Sequence, residues 1–206
     1  MLKLYYSPGA CSMSPHIVLR EAELEFALEK VDLRSKQTES GVDFTTINSK
    51  GYVPTLQLAD GDVLTEGPAI VQYIADLKPE SGLAPANGTL PRYHLQEWLN
   101  YISTELHKSS GQLFNPAVPE AYKATVHENL KNRYAYIDQQ LSKQDFLLGA
   151  DFSVADAYCF TVVSWTPLLK IDISHCPNLQ AYMERIGQRP SVQAVMEAEG
   201  LKKAKG

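Results

Sequence analysis

Hydrophobic and polar positions follow two different periods along this chain, and the change between them divides the chain in two. In the first part, short apolar runs typical of strands lie at 2–6, 27–32, 53–59 and 62–66. Helical spacing follows the first and the last of these runs, at 14–24 and 67–79. With a weakly helical stretch at 38–48, the order of elements predicts a thioredoxin-like domain with a mixed sheet and helices on both faces.

Strand patterns nearly vanish after a stretch rich in Gly, Pro, Ser and Asn. Helical periodicity then occupies 90–114, 120–142, 154–170, 178–188 and 191–199. The fold class is therefore α/β plus all-α. We predict a thioredoxin-like domain at 1–79, a linker at 80–89 and an all-helical domain at 90–206.

A capping box is predicted where the segment 154–170 begins. Ser153 suits the N-cap position, and Asp156 stands three residues later, where its carboxylate can reach back to the N-cap N–H. Both residues serve folding, and replacing either is expected to cost about 1 kcal/mol or more.

Charge and cysteine usage restrict the classes of function. The 206 residues carry a net charge of -5, which argues against a nucleic-acid or anionic-membrane partner but leaves a local basic pocket possible. Three widely spaced cysteines form neither a disulfide framework nor a metal site, and they suit a reducing compartment. No apolar run has the length of a membrane span, and the N-terminus lacks a signal peptide pattern. We expect a cytoplasmic protein without a metal.

The candidate chemistry begins in YYSPGACSMSPH, residues 5–16. Cys11 follows a Pro-Gly turn at the start of a predicted helix, whose N-terminus favours a thiolate. Ser14 stands where a dithiol oxidoreductase has its second cysteine, so the expected oxidised form is a mixed disulfide with a small thiol. The alternative is that Cys11 is a small buried hydrophobe, which is the expectation for Cys159 and Cys176.

Three further positions attract attention in the first domain. Val53-Pro54 opens a strand, which indicates a turn, a cis bond or an edge strand. Glu66 and Gly67 begin a helix that can bind a carboxylate through N–H groups while Glu66 holds an ammonium, although Glu66 also suits an ordinary first turn. Lys36 on its own is more typical of a solvated loop.

Together these elements resemble the cytosolic glutathione S-transferases, in particular the bacterial beta class. The resemblance is carried by KLYYSPGACSMSPHIVLRE, DLRSKQTESG, GYVPTLQL, LTEGPAIVQYIADL, EWLNYISTELHK and FSVADAY. It implies a glutathione-binding N-terminal domain, a helical domain with a hydrophobic second-substrate pocket, and a homodimer. It also implies glutathione as co-substrate and small hydrophobic electrophiles as partners.

The resemblance assigns roles residue by residue. Cys11 and His107 are the implied catalytic residues, with Cys11 near the glutathione sulfur and His107 donating a hydrogen bond or moving a proton. Glutathione is expected to contact Cys11, Lys36, Val53, Pro54, Glu66, Gly67, Asn100, Thr104, Glu105, Leu106 and His107. The second-substrate pocket is expected to include Tyr6, Ala10, Lys108, Phe114 and Trp165. Spacings of four and three place Asn100, Thr104 and His107 on one helix face, which periodicity alone would make a solvated face.

Three functions stay open on the sequence. The first is a transferase that conjugates glutathione to electrophiles, with possible thiol-transfer or peroxide activity through a Cys11 mixed disulfide. The second is a glutaredoxin-like thiol–disulfide transferase. The third is a non-catalytic, glutathione-dependent carrier of hydrophobic ligands.

Overall fold

The computed structural model describes residues 1–201. Their packing divides into two units, one of Met1–Ala84 with the described residues from Arg189 to Leu201, and one of Pro85–Gln188. The N-terminal unit thus includes a helix from the far end of the chain. The domain limits given above remain a prediction.

A mixed sheet forms the centre of the N-terminal unit. Its strands are β1 Leu2–Tyr6, β2 Phe26–Asp32, β3 Gln37–Thr38, β4 Thr55–Gln57 and β5 Val63–Thr65. The strand order is β3-β2-β1-β4-β5, with β1 parallel to β2 and antiparallel to β4. The four predicted strands are confirmed. The two-residue strand β3 is not predicted because it is too short to show a period. It ends at Thr38, where the stretch predicted as weakly helical begins, and the helical turn in that stretch is the 3-10 turn Phe44–Thr46.

The helices of the described residues are α1 Met13–Glu21, α2 Gly67–Leu77, α3 Leu90–Tyr101, α4 Lys108–Phe114, α5 Glu120–Leu141, α6 Val154–Val163, α7 Pro177–Gly187 and α8 Pro190–Ala198. Short 3-10 turns at Phe44–Thr46 and Pro79–Ser81 add to these. Among residues 1–201, no helix combines the length and apolar character needed to cross a membrane.

In the N-terminal unit, α8 is bound to α1 at both ends. The Arg189 guanidinium donates to the Glu21 carboxylate at 2.7 and 2.8 Å. At the other end, Glu199 accepts from Gly9 N–H at 2.8 Å and from the Nδ1 of the fully buried His16 at 2.8 Å. These pairs connect the segment before α1 with the end of the described chain.

In the helical unit, α3 and α4 are continuous through a π-helical turn at Ile102–His107. One face of this continuous helix is apolar and fully or almost fully buried, and it consists of Leu95, Leu99, Ile102 and Leu106. The helix predicted at 154–170 is correct only to Val163. Beyond it lie turns, because Pro167 has no N–H to donate and disfavours helical geometry in the preceding residue.

The predicted capping box at the start of α6 is confirmed. The buried Asp156 carboxylate accepts from Ser153 N–H at 2.8 Å and from the Ser153 hydroxyl at 2.7 Å. It also accepts from Leu147 N–H and the Tyr182 hydroxyl, both at 2.9 Å. Four donors therefore depend on one carboxylate.

We expect Asp156→Ala to destabilise the fold far more than Ser153→Ala. The alanine leaves three residues with buried unpaired donors, each costing on the order of 1–3 kcal/mol, whereas losing the Ser153 side chain costs about 1–2 kcal/mol. Urea unfolding followed by circular dichroism measures the difference. The exposed Asp151→Ala is the control, with an expected change below about 0.5 kcal/mol. An Asp156→Ala protein as stable as Asp151→Ala would contradict this account.

Candidate active site

The segment between β1 and α1 is closed by a buried serine. The Ser12 hydroxyl accepts from Ser7 N–H at 3.1 Å and donates to the Ser7 carbonyl at 3.2 Å. Gly9 has a φ of +69°, a left-handed conformation that favours glycine. Cys11 directly precedes Ser12, which is the N-cap of α1. The predicted position of Cys11 at a helix start is confirmed.

The Cys11 thiol is half-buried and donates to the Val53 carbonyl at 3.2 Å. Burial raises the pKa of this thiol to about 11, although the N–H groups of Cys11 and Ser12 act to lower it, and the negative charge of Glu66 raises it further. The N–H groups at the helix start do favour the thiolate, as expected, but burial outweighs them. At neutral pH the thiol is therefore protonated.

Val53 lies in a loop, residues 48–54, that is fixed by one buried amide. Asn48 donates through Nδ2 to the Tyr52 carbonyl and to the Thr55 hydroxyl, both at 2.9 Å, and accepts from Lys50 N–H at 3.1 Å. The Val53-Pro54 bond is cis, which settles the alternatives left open by the sequence. Within residues 1–201, no group accepts a hydrogen bond from Val53 N–H.

Lys36 is bound to the same 48–54 loop. Its ammonium donates to the Gly51 carbonyl at 3.0 Å, and its φ of +59° is unusual for a residue with a side chain. Lys36 therefore differs from the solvated loop lysine that its local sequence suggested. The Gly51 carbonyl that accepts from this ammonium lies two residues before Val53 in the loop.

Glu66 and Gly67 lie where β5 joins α2. Glu66 is the N-cap of α2 and has a φ of +72°, while its carboxylate is exposed and pairs with Lys50 at 2.5 Å. A Cβ added at Gly67 would lie 3.9 Å from the Pro54 ring, which is ordinary van der Waals contact. Cys11, Lys36, Val53, Pro54, Glu66 and Gly67 are thus joined in the N-terminal unit through contacts to the 48–54 loop.

The two tyrosines of β1 both make contacts within the N-terminal unit. The Tyr5 hydroxyl donates to Gln57 at 3.0 Å and its ring packs against Phe44, whereas the Tyr6 ring packs against His16. Burial raises the pKa of both phenols. Neither is suited to act as a phenolate. Ala10 is half-buried and packs against the core cluster that contains Val53.

In the helical unit, an aromatic cluster surrounds His107. The His107 Nδ1 lies 2.6 Å from the Tyr158 hydroxyl, and its ring centroid lies 5.1 Å from that of Trp165. The half-exposed Phe114 ring meets Trp165 edge-on at 5.8 Å. The cluster therefore contains three predicted site residues. It also adds Tyr158, which the sequence analysis did not single out.

The polar residues expected beside His107 are spread over a different surface. Thr104 donates to the Asn100 carbonyl at 3.0 Å, and Glu105 pairs with Arg133 at 2.6 Å. Thr104 and Lys108 line a cavity of about 270 Å³ with Arg133 and residues of α5. Leu106 is fully buried, so only its backbone is available to a ligand. The π turn changes the helical spacing on which the shared face of Asn100, Thr104 and His107 was based.

Comparisons with known proteins agree with this architecture. Family models for the glutathione S-transferase N-terminal and C-terminal domains match residues 9–77 and 89–190. "Glutathione S-transferase GstA" of Escherichia coli O157:H7 is 45% identical, over 98% of this chain and 100% of its own length. This chain belongs to the glutathione S-transferase family.

Solved structures indicate which class of glutathione S-transferase this chain resembles. A sphingomonad glutathione S-transferase complexed with glutathione is 48% identical, with a TM-score of 0.94 over 97% of this chain and 100% of that one. The bacterial beta-class glutathione S-transferase of Sphingomonas chungbukensis is 46% identical, with the same TM-score and coverage. The structural relatives of this chain thus include a bacterial beta-class enzyme, which agrees with the resemblance seen in the sequence.

The raised pKa of Cys11 predicts how its alkylation depends on pH. Because only the thiolate reacts, the rate with iodoacetamide should rise about tenfold per pH unit from pH 7 to 10, without levelling near the ordinary pKa of about 8.5. Mass spectrometry of the Cys11 peptide follows the rate. The fully buried Cys159 and Cys176 in the same native protein serve as internal controls and should stay unmodified. A rate that levels below pH 9 would contradict the burial effect.

Proposed function

We propose that this enzyme conjugates reduced glutathione to small hydrophobic electrophiles and that Cys11 acts as a neutral hydrogen-bond donor to the glutathione sulfur. The observation that carries the proposal is the hydrogen bond of 3.2 Å from the Cys11 thiol to the Val53 carbonyl. Burial, which raises the pKa of this thiol to about 11, is consistent with a neutral donor. A neutral donor beside the substrate sulfur favours its thiolate, whereas a second anion would repel it.

Glutathione is proposed to bind along the 48–54 loop. The Val53 N–H and carbonyl would pair with the cysteinyl backbone, and Lys36 would contact the glycyl carboxylate. Glu66 and the Gly67 N–H at the start of α2 would hold the γ-glutamyl end. Lys36 and Glu66 both contact this loop, at the neighbouring residues Gly51 and Lys50, which supports a binding site beside it.

The reaction needs the glutathione thiol to lose its proton before attack. Cys11 S–H would then turn from the Val53 carbonyl to the glutathione sulfur and donate to the thiolate. The proton passes to water. The thiolate then forms a bond to the electrophilic carbon, the bond from that carbon to the leaving group breaks, and the leaving group departs as an anion with the electron pair of that bond. Cys11 is unchanged by the cycle.

The helical unit is proposed to supply the remaining contacts. Asn100, Thr104, Glu105, Leu106 and His107 are assigned to glutathione and Tyr6, Ala10, Lys108, Phe114 and Trp165 to the second substrate, on the family resemblance. Packing of His107, Phe114 and Trp165 into one aromatic cluster supports a preference for planar hydrophobic electrophiles. Family membership also supports a cytoplasmic homodimer, which light scattering of the purified protein would test.

Thiol transfer is the second candidate, because Cys11 is a lone cysteine whose oxidised form is a mixed disulfide. Its rate depends on the thiolate. With a pKa of about 11, the thiolate fraction at pH 7 is on the order of one in ten thousand. Conjugation is therefore expected to exceed reduction of β-hydroxyethyl disulfide, and the opposite ratio would favour the glutaredoxin-like function.

The donor role predicts an order of activity among Cys11 variants. Cys11→Ser keeps a hydroxyl donor and should retain most conjugation of glutathione with 1-chloro-2,4-dinitrobenzene, whereas Cys11→Ala should lose about 10²-fold in kcat/KM. Thiol transfer should be lost in both variants. An alanine variant with full conjugation and full thiol transfer would remove Cys11 from the mechanism.

A second measurement locates the tripeptide beside Cys11. After long incubation with oxidised glutathione, the intact mass should show one reducible glutathione adduct in the native protein and none in Cys11→Ser. Cys159 and Cys176 are buried, so a second adduct is not expected. Binding of hydrophobic ligands without any conjugation would favour the carrier instead.

A further inference from the structure

The Tyr158 side chain lies almost fully buried beside His107, and the two groups form a short hydrogen bond. The His107 Nδ1 is 2.6 Å from the Tyr158 hydroxyl, and Tyr158 is only 2% exposed. Both residues belong to the helical unit, with His107 at the end of the π turn and Tyr158 within α6. The contact joins residues 51 positions apart, so the tertiary fold places it and local sequence does not.

Neighbouring aromatic rings fix the plane of the His107 ring. The Tyr158 ring meets it edge-on, with centroids 5.8 Å apart and planes at 84°. The Trp165 ring lies closer, at 5.1 Å and 62°. Tyr158 and Trp165 are both buried, whereas His107 is half-buried. The imidazole is therefore held from the interior of the helical unit while part of it stays accessible.

The direction of the hydrogen bond follows from the chemistry of its two partners. A neutral imidazole has one N–H and one nitrogen with a free lone pair, and this nitrogen accepts more strongly than a phenol oxygen. The separation of 2.6 Å also fits a hydroxyl donor, since N–H donors usually lie about 2.7–3.2 Å from an oxygen. Tyr158 O–H thus donates to Nδ1. The hydrogen bond at one ring nitrogen decides which nitrogen carries the proton, and the proton of neutral His107 is therefore on Nε2.

We propose that Tyr158 is a positioning residue that holds neutral His107 in the Nε2–H tautomer, so that His107 serves glutathione as a hydrogen-bond donor and not as the base that takes the thiol proton. This inference rests on the proposed function. In this tautomer the acceptor of the ring is Nδ1, and Tyr158 occupies it. Nε2 carries a hydrogen and has no free lone pair to receive a proton. His107 thereby offers a donor without carrying a charge, as the neutral Cys11 thiol does.

The opposite arrangement has different consequences. If Nδ1–H donated to the Tyr158 oxygen, Nε2 would hold the lone pair, and His107 could act as a base toward the glutathione thiol. The two arrangements differ in one observable, which is the ring nitrogen that carries the proton in the native protein.

The first test is proton–nitrogen correlation NMR of the imidazole side chains in the full-length protein, at a pH where His107 is neutral. The chain has five histidines, and the signals absent from His107→Gln identify those of His107. We expect the proton on Nε2 in the native protein. In Tyr158→Phe, where Nδ1 loses its donor, the proton should exchange between the two nitrogens. A proton on Nδ1 in the native protein would overturn the inference.

The second test is a double-mutant cycle on the conjugation of glutathione with 1-chloro-2,4-dinitrobenzene. Tyr158→Phe should lower kcat/KM roughly fivefold, which is the effect of one ordinary hydrogen bond. Because Tyr158 acts through His107, the same change should have no further effect in His107→Gln, which keeps an N–H donor but has no imidazole to orient. An equal loss in both backgrounds would show that Tyr158 acts independently of His107.

A matched control is Tyr134→Phe, which removes the hydroxyl of another buried tyrosine in the helical unit. Within residues 1–201 this hydroxyl has no hydrogen-bond partner. The control should keep the native kcat/KM and the native nitrogen shifts of His107, and circular dichroism should show all variants folded. A native protein without any conjugation would remove the proposed function and the catalytic part of this inference. The nitrogen shifts would still decide the direction of the Tyr158–His107 hydrogen bond.

Discussion

The buried carboxylate of Glu199 holds the part of the structure on which the cysteine depends. It accepts from the backbone of Gly9, two residues before Cys11, and from His16, in the helix that follows Cys11. The Leu201 side chain also lies against Gly9, where a Cβ would come within 3.3 Å of it. Because His16 is fully buried, losing its partner would cost far more than losing a surface pair. The segment that carries Cys11 is thus shaped by residues nearly 190 positions away.

Two opposing electrostatic effects act on Cys11, and their sizes decide its state. A helix N-terminus favours an anion by roughly 0.3–1 kcal/mol at exposed sites. Burial nevertheless raises the pKa of the Cys11 thiol to about 11, so it outweighs the helix effect. As a consequence, the sulfur holds a proton to donate at neutral pH. A helix start before a cysteine does not by itself produce a thiolate.

Local pattern was enough to predict most of the secondary structure. β1 at 2–6, the hairpin of β4 and β5, α2 and the capping box of α6 each have a signal contained within about a dozen residues. The π turn at Ile102–His107 lacks such a signal, because LNYISTELHK reads equally well with α-helical spacing. The pairing of Lys50 with Glu66 also lacks a local signal, since an exposed lysine in a loop has no distinctive context.

The features of the candidate site also differ in whether a local sequence signal predicts them. Cys11, the cis bond before Pro54 and the start of α2 follow from short motifs, so the sequence indicated them. The Cys11–Val53 contact, the Glu66–Lys50 pair and the Glu199 contacts join residues separated by 42, 16 and up to 190 positions. Pairings of this kind depend on the tertiary fold, and no periodicity in the chain encodes them.

Ser14 stands where a dithiol oxidoreductase has its second cysteine. Its side chain is buried, and its hydroxyl donates to the Cys11 carbonyl at 2.9 Å, so it supports the turn instead of offering a second reactive atom. With no resolving thiol at that position, a Cys11 disulfide can be reduced only by a thiol from outside the segment. A half-buried, protonated cysteine with no partner sulfur is poorly suited to rapid dithiol exchange. The same features suit a donor whose proton is available whenever a substrate thiolate takes the place of the Val53 carbonyl.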